Sequence, residues 1–204
     1  MTDHYILTLP LLDTADADQA ARDAMERGRK AARVLPNMYR AMAQAPGLLD
    51  TYLTGYERFR SESGFTSQEQ EVVFLTISAE NACEYCVAAH SFIADTFSKV
   101  PPAVTDAIRD GKPVEDARLN ELSVFTQHLL LERGRPSPGA VESVLAAGYT
   151  EQQILYIVLA LGVKTMSNYT NHLFDTPVDG VFKAREWKAV RLATRAFHAV
   201  ARRS

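Results

Sequence analysis

The chain has little cysteine, two residues in 204, and the two stand so close together that they cannot staple distant parts of a fold. It has no hydrophobic run long enough to cross a bilayer. "ILYIVLALGV", Ile154 to Val163, is apolar throughout but only ten residues long, against about 20 needed to span the hydrocarbon core. At the N-terminus "MTDHYILTLPLLD" mixes charge and proline from its start instead of pairing a basic flank with an apolar run, so no signal peptide is expected. The expected location is therefore the cytoplasm, with no membrane partner. Thiols stay reduced there, which makes a close cysteine pair better read as catalytic or metal-binding than as a structural bridge. Positive charge is not in excess either. A net charge of −3 and a pI near 6.0 give no general basis for nucleic-acid binding.

What the sequence does have is helical periodicity. Apolar residues recur at three and four, and the breaks carry caps, prolines or glycines instead of hairpin turns. The composition, 47% apolar and 23% charged, fits one globular domain spanning 1–204. An all-α fold is expected, with helices near 15–29, 37–44, 47–62, 67–79, 82–98, 102–110, 115–133, 138–146, 151–172 and 184–202. Thr66 with Glu69 and Thr150 with Gln153 each spell a capping box, and Ser137 before Pro138 is another start. The apolar run 154–163 is expected to be a buried central helix. Residues 183–204 are basic, with a balance of +6 that leaves −9 on the rest. Their arginines are expected to meet the acidic body or a neighbouring subunit, with Trp187, Val190 and Phe197 packing inward.

Sliding the chain against itself by 84 residues aligns "GFTSQEQEVVFLTISAENACEYC" with "GYTEQQILYIVLALGVKTMSNYT". Gly64, Thr66, Gln68, Leu75 and Tyr85 recur as Gly148, Thr150, Gln152, Leu159 and Tyr169. This reads as a degenerate internal repeat with halves about 64–98 and 148–182. The cysteines are not repeated, since Ser167 and Thr170 take their places. The second half is accordingly expected to be scaffold.

Both cysteines lie in "EVVFLTISAENACEYCVAAH", Glu71 to His90. Asn81 and Glu84 form an Asn-x-x-Glu pair expected to cap a new helix, with Cys83 near its second position. The break matters, because one continuous helix would hold Glu71 and Cys83 about 18 Å apart at 1.5 Å per residue. On the new helix Cys83, Cys86 and His90 share a face at i, i+3 and i+7. A helix N-terminus and a nearby histidine favour the thiolate, and neutral imidazole can take up its proton. Attack of such a thiolate on a peroxide O–O bond gives a sulfenic acid, which a second cysteine one turn away converts to a disulfide. The dipole favours a thiolate at Cys83, while His90 favours Cys86.

The pattern Glu-x11-Cys-x2-Cys-x3-His, here Glu71, Cys83, Cys86 and His90, resembles the signature of the alkylhydroperoxidase-D-like branch of the carboxymuconolactone decarboxylase superfamily. "LPNMYRAMAQAPGLLDTYL" and "NYTNHLFDTPVD" are similar to segments of its peroxidase-related members, so the resemblance covers most of residues 34–178. It implies antiparallel helical hairpins, a homo-oligomer, and cofactor-free peroxidase chemistry on hydrogen peroxide or organic hydroperoxides, regenerated by an external dithiol. It makes Cys86 the attacking thiol, Cys83 the resolving thiol, and His90 with Glu71 the proton relay. Some members carry histidine where this chain has Tyr85, which is a poor base at neutral pH.

Other readings remain open at this level. A lactone decarboxylase would share the superfamily but needs no cysteine pair. A metal-binding or redox-sensing oligomer would use Cys83, Cys86 and His90, with His172 or Glu71 completing a zinc set. Covalent haem is excluded because Val87, not histidine, follows Cys86. His172 is a secondary candidate for the thiol site, whereas His4, His128 and His198 have no reactive partners nearby in sequence.

Overall fold

The computed structural model describes residues 5–187, and among them every regular element is helical. In chain order these are α1 (Gln19–Ala32), α2 (Asn37–Met42), α3 (Pro46–Glu62), α4 (Ser67–Glu80), α5 (Glu84–Ile93), α6 (Pro102–Arg109), α7 (Ala117–Leu131), α8 (Pro138–Ala146) and α9 (Glu151–Phe174). A π-helical turn, Ala94–Ser98, extends α5, and a 3-10 turn, Gly180–Arg185, follows α9. Both capping boxes form as the sequence requires: Thr66 and Glu69 start α4, Thr150 and Gln153 start α9. Ser137 accepts the Ala140 amide at the start of α8, with Pro138 just inside.

The centre of the molecule is α4, not the apolar run of α9. Every residue from Glu69 to Ser78 is buried, because α5, α6, α7 and α9 all pack around that helix. α9 buries Ile157, Ala160, Val163 and Lys164 but leaves Leu155 69% and Val158 49% exposed. Its run is apolar all round, yet the described residues cover only one side. No single helix among the described residues is long and apolar enough to cross a membrane.

The two segments that align in sequence have different shapes. The first breaks between α4 and α5, whereas the second continues unbroken to Phe174. The helix expected over 184–202 lies almost wholly outside the described residues. Where that expectation meets them, residues 180–185 form the 3-10 turn instead. There Arg185 pairs with Asp95 and Asp106, each at 2.9 Å, and the Arg109 guanidinium lies 4.3 Å from the Trp187 ring centroid.

Aromatic packing fixes the wall on which the site is built. Phe74 of α4 stacks on Tyr56 at 5.3 Å and packs against Phe59 at 4.5 Å, with the His90 ring 5.0 Å away. Rings at these separations lose translational freedom together. The His90 imidazole is thereby held by the core as well as by its hydrogen bond.

Candidate active site

The site begins at the break between α4 and α5. Asn81 ends α4, and Ala82 takes a left-handed conformation, φ 53°. That conformation is costly for a residue with a Cβ. Cys83 is then the N-cap of α5, and Cys86 lies in its first turn. The expected Asn81 cap does not form. The Asn81 amide instead donates to Asn168 Oδ1 of α9 at 2.9 Å, tying the break to the neighbouring helix.

This turn brings the four residues of the motif together. Cys83 and Cys86 are free, buried and 3.6 Å apart, so a small rotation closes the gap to a disulfide of about 2.05 Å. Asn171 Nδ2 donates to both sulfurs, at 3.3 Å to Cys86 and 3.8 Å to Cys83. His90 Nδ1 lies 2.9 Å from Glu71 Oε2, and Arg60 holds the other carboxylate oxygen at 2.5 Å. With Nδ1 spent on Glu71, the imidazole has Nε2 left to exchange protons.

The charges in this buried cluster separate the two thiols. Burial pushes the Cys86 thiol up, but the Cys83 side chain, Lys164, His90 and Ser167 outweigh it and hold Cys86 well below the ordinary thiol value. Cys83 goes the other way, pushed well above by burial and by its neighbour. Burial and then Lys164 lower the imidazole of His90 against the opposing pull of Glu71. Glu71 itself would be raised by burial, yet Arg60 and His90 keep its carboxyl below the usual carboxylate value.

A cavity of about 780 Å3 opens onto this cluster. Cys86, His90, Glu71, Arg60 and Lys164 contribute to its lining, together with Tyr39, Tyr52, Tyr56 and Phe92, whereas Cys83 does not. Tyr85 also lines it, but its hydroxyl donates to Asp179 and accepts the Met38 amide at 3.5 Å. Burial and then Asp179 push that phenol far up, so it stays protonated. His172 is not among the residues that line the cavity. Its ring lies beside Tyr169 with centroids 6.4 Å apart, and the preceding residue, Asn171, reaches the thiols instead.

Sequence reasoning missed Arg60, Lys164, Ser167 and Asn171. One of them carried a signal, because Lys164 directly follows the apolar run and is a lone charge at the edge of a helix read as buried. The segment read as scaffold thus supplies three groups to the thiol site. Among the described residues no three His, Cys, Asp or Glu side chains stand together as metal ligands do. Glu71, one of the two residues that could complete a zinc set, is already held by His90 and Arg60.

No family model matches the sequence, and no curated protein does. Solved structures do match. A peroxidase-related protein from Ralstonia eutropha JMP134, described as an alkylhydroperoxidase AhpD core, superposes with a TM-score of 0.74 over 88% of this chain and 95% of that one, at 20% identity. The chain has the AhpD-like fold. A peroxidase-related protein from Silicibacter sp. TM1040 shares it at a TM-score of 0.72 and 19% identity, over 90% of this chain and 96% of that one. A cysteine-to-alanine variant of the debrominase Bmp8, solved with 2,3,4-tribromopyrrole, matches at 0.72 and 14% identity, covering 88% and 95%. The AhpD-like architecture therefore hosts more than one activity.

Proposed function

We propose that this AhpD-like chain is a thiol peroxidase that reduces hydroperoxides by cycling Cys86 and Cys83 between dithiol and disulfide. The observation that carries this reading is a cavity-lining cysteine 3.6 Å from a second one, beside an imidazole aligned by a carboxylate. The Cys86 thiolate attacks the terminal peroxide oxygen, forming an S–O bond as the O–O bond breaks. The electron pair leaves on the departing oxygen, which takes from solvent, relayed by His90 Nε2, the proton that Cys86 gave up on ionising, and becomes an alcohol or water. Cys83 then attacks the oxidised sulfur. An S–S bond forms, the S–O bond breaks, and hydroxide leaves to join the proton that Cys83 gave up. An external dithiol restores both thiols. His90 and Glu71 act as the relay throughout.

The size of the cavity favours organic hydroperoxides, since 780 Å3 lies within the roughly 300–1,000 Å3 typical of small-molecule pockets. Homo-oligomerisation belongs to the same reading. The outer face of α9 exposes two apolar pairs spaced three and four apart, Leu155 with Val158 and Tyr169 with Leu173, a surface that a second copy of the helix would cover. Thiol titration tests the chemistry. One equivalent of cumene hydroperoxide should remove two thiols per chain, a dithiol should restore both, and Cys86→Ser should abolish the reaction. Retention of both thiols after peroxide would refute the proposal.

A second reading draws support from the aromatic walls, Tyr39, Tyr52, Tyr56 and Phe92, and from the ligand bound to the debrominase variant. The thiolate would take bromine from a bromopyrrole, forming S–Br as C–Br breaks and the carbon is protonated. Cys83 would then displace bromide to give the same disulfide. Bromide release from 2,3,4-tribromopyrrole, without peroxide present, distinguishes the two.

A further inference from the structure

Lys164 sits on α9 with its side chain wholly buried, and its ammonium has no hydrogen-bond partner among the described residues. Its Nζ lies over the face of Phe74, 5.7 Å from the ring centroid. An ammonium withdrawn from water is costly unless a negative charge stands near it. The nearby carboxylate is already committed, because Glu71 gives one oxygen to Arg60 and the other to His90. The cavity's other carboxylate, Glu57, is paired with Arg27 at 2.7 Å, which leaves the sulfur of Cys86. That sulfur is surrounded as an anion would be, since Asn171 offers it an N–H at 3.3 Å.

We propose that Lys164, and not a protonated His90, is the standing counter-ion of the Cys86 thiolate, so that His90 remains a neutral proton carrier. This deepens the thiol reading above and rests on it. In the familiar thiolate and imidazolium pair one proton serves both purposes, and the base is occupied while it balances the sulfur. Here a fixed cation frees the imidazole from that task. When the O–O bond breaks, negative charge passes from the sulfur to the leaving oxygen within the same cavity, whose lining includes Lys164.

The other titratable groups around the pair agree with this division. Arg60 and Glu71 pair with each other, and the phenols of Tyr39, Tyr52 and Tyr56 are pushed upward, chiefly by burial, and stay neutral. Burial and Lys164 act in the same direction on His90, toward the neutral ring. On Cys86, Lys164 acts toward the thiolate. One ammonium thus biases the two groups into the states the reaction needs.

The test is a titration, with no substrate required. In Cys83→Ser protein, absorbance at 240 nm and the pH profile of iodoacetamide alkylation read Cys86 alone. The nitrogen chemical shifts of His90, assigned by their loss in His90→Asn, read its charge in the parent protein. At neutral pH the expected state is thiolate beside neutral imidazole. Lys164→Met should raise the thiolate midpoint by about one to three pH units, and Lys164→Arg should restore it. An imidazolium at neutral pH in the parent protein overturns the proposal, as does an unchanged midpoint in Lys164→Met. If Lys164→Met does not fold, the parent imidazole shifts and the Lys164→Arg midpoint still decide. An intact thiolate and ammonium pair in a protein that consumes no peroxide would remove the peroxidase reading and leave this one standing.

Discussion

Removing the charge of Glu71 while keeping its shape, by Glu71→Gln, tests whether the buried cluster is a coupled unit. The carboxylate is 1% exposed and bonded to Arg60 at 2.5 Å and His90 at 2.9 Å. A glutamine can still accept from His90, but its amide nitrogen then faces the Arg60 guanidinium, donor against donor. Breaking a buried pair from one side costs about 3–5 kcal/mol. Because Arg60 is 21% exposed, the lower end applies, about 3 kcal/mol. For a chain of this size that lowers the thermal midpoint by roughly 6–12 °C. Replacing both partners removes the stranded charge, so Arg60→Met combined with Glu71→Gln should recover about 2 kcal/mol of the sum of the single losses.

The pH dependence has a fixed sign. The folded-state carboxyl of Glu71 lies below its ordinary value, so its contribution is complete above the unfolded value of about 4.3. It is lost as pH falls through the depressed folded value. The stability gap between parent and Glu71→Gln should therefore be full at neutral pH and shrink in acid below the ordinary carboxylate range. Calorimetry across pH, with urea titration at neutral pH, measures it. A single-variant loss under 1 kcal/mol, on the scale of an exposed pair, or strictly additive losses in the double variant, would refute the coupled cluster.

Tyr85→Phe removes a donor to Asp179 and an acceptor for the Met38 amide. It should cost about 1–3 kcal/mol by urea denaturation and leave the Cys86 alkylation rate close to parent, since the phenol stays protonated and its hydroxyl is committed to Asp179 and the Met38 amide. Gly28→Ala would place a Cβ 2.7 Å from the Tyr39 ring. The overpacking, about 1–3 kcal/mol, should outweigh the helix propensity gained, about 1 kcal/mol, and a variant more stable than the parent would show that the ring yields freely. Ala82 adopts φ 53°, so Ala82→Gly should be tolerated within about 0.5 kcal/mol, while Ala82→Val should lose roughly 1–2 kcal/mol and slow disulfide formation. Equal midpoints for those two variants would show that the break does not depend on that conformation.

Much of the helical framework was legible because its starts are local chemistry. Thr66 with Glu69, Thr150 with Gln153, and Ser137 with Pro138 act over one turn and need nothing from the rest of the chain. The placing of Cys86 and His90 on one side of α5 follows from their spacing, and the fold-back of Glu71 follows once a break is placed ahead of them, whereas Cys83, expected on the same face, is the N-cap. The burial of 154–163 was misjudged for a different reason. Apolar composition on every side says that water is disfavoured, but not whether the cover comes from the same chain, and α4 proved to be the helix enclosed on every side. Asn81 was read as a start because its spacing to Glu84 fits a cap. Its amide found Asn168, 87 positions away, a contact that no local rule contains.

Arg60 and Asn171 were hidden for the same reason, Lys164 showing only as a lone charge beside an apolar run, and the three explain why the site needs two unlike segments. A broken helix is required to turn Glu71 back toward the thiols, and the turn at Ala82 puts Cys83 at the N-cap with Cys86 close behind. The break leaves amide and carboxylate groups that must be met from outside α5. A neighbour broken in the same place would present another loose end there, whereas the unbroken α9 presents Lys164, Ser167, Asn168 and Asn171 along one buried face. Asn168 ties down the break, Asn171 reaches the sulfurs, and Lys164 brings the cation. In the proposed chemistry the segment without cysteines is therefore as much a part as the one that carries them, and its continuity is what allows the other to be interrupted.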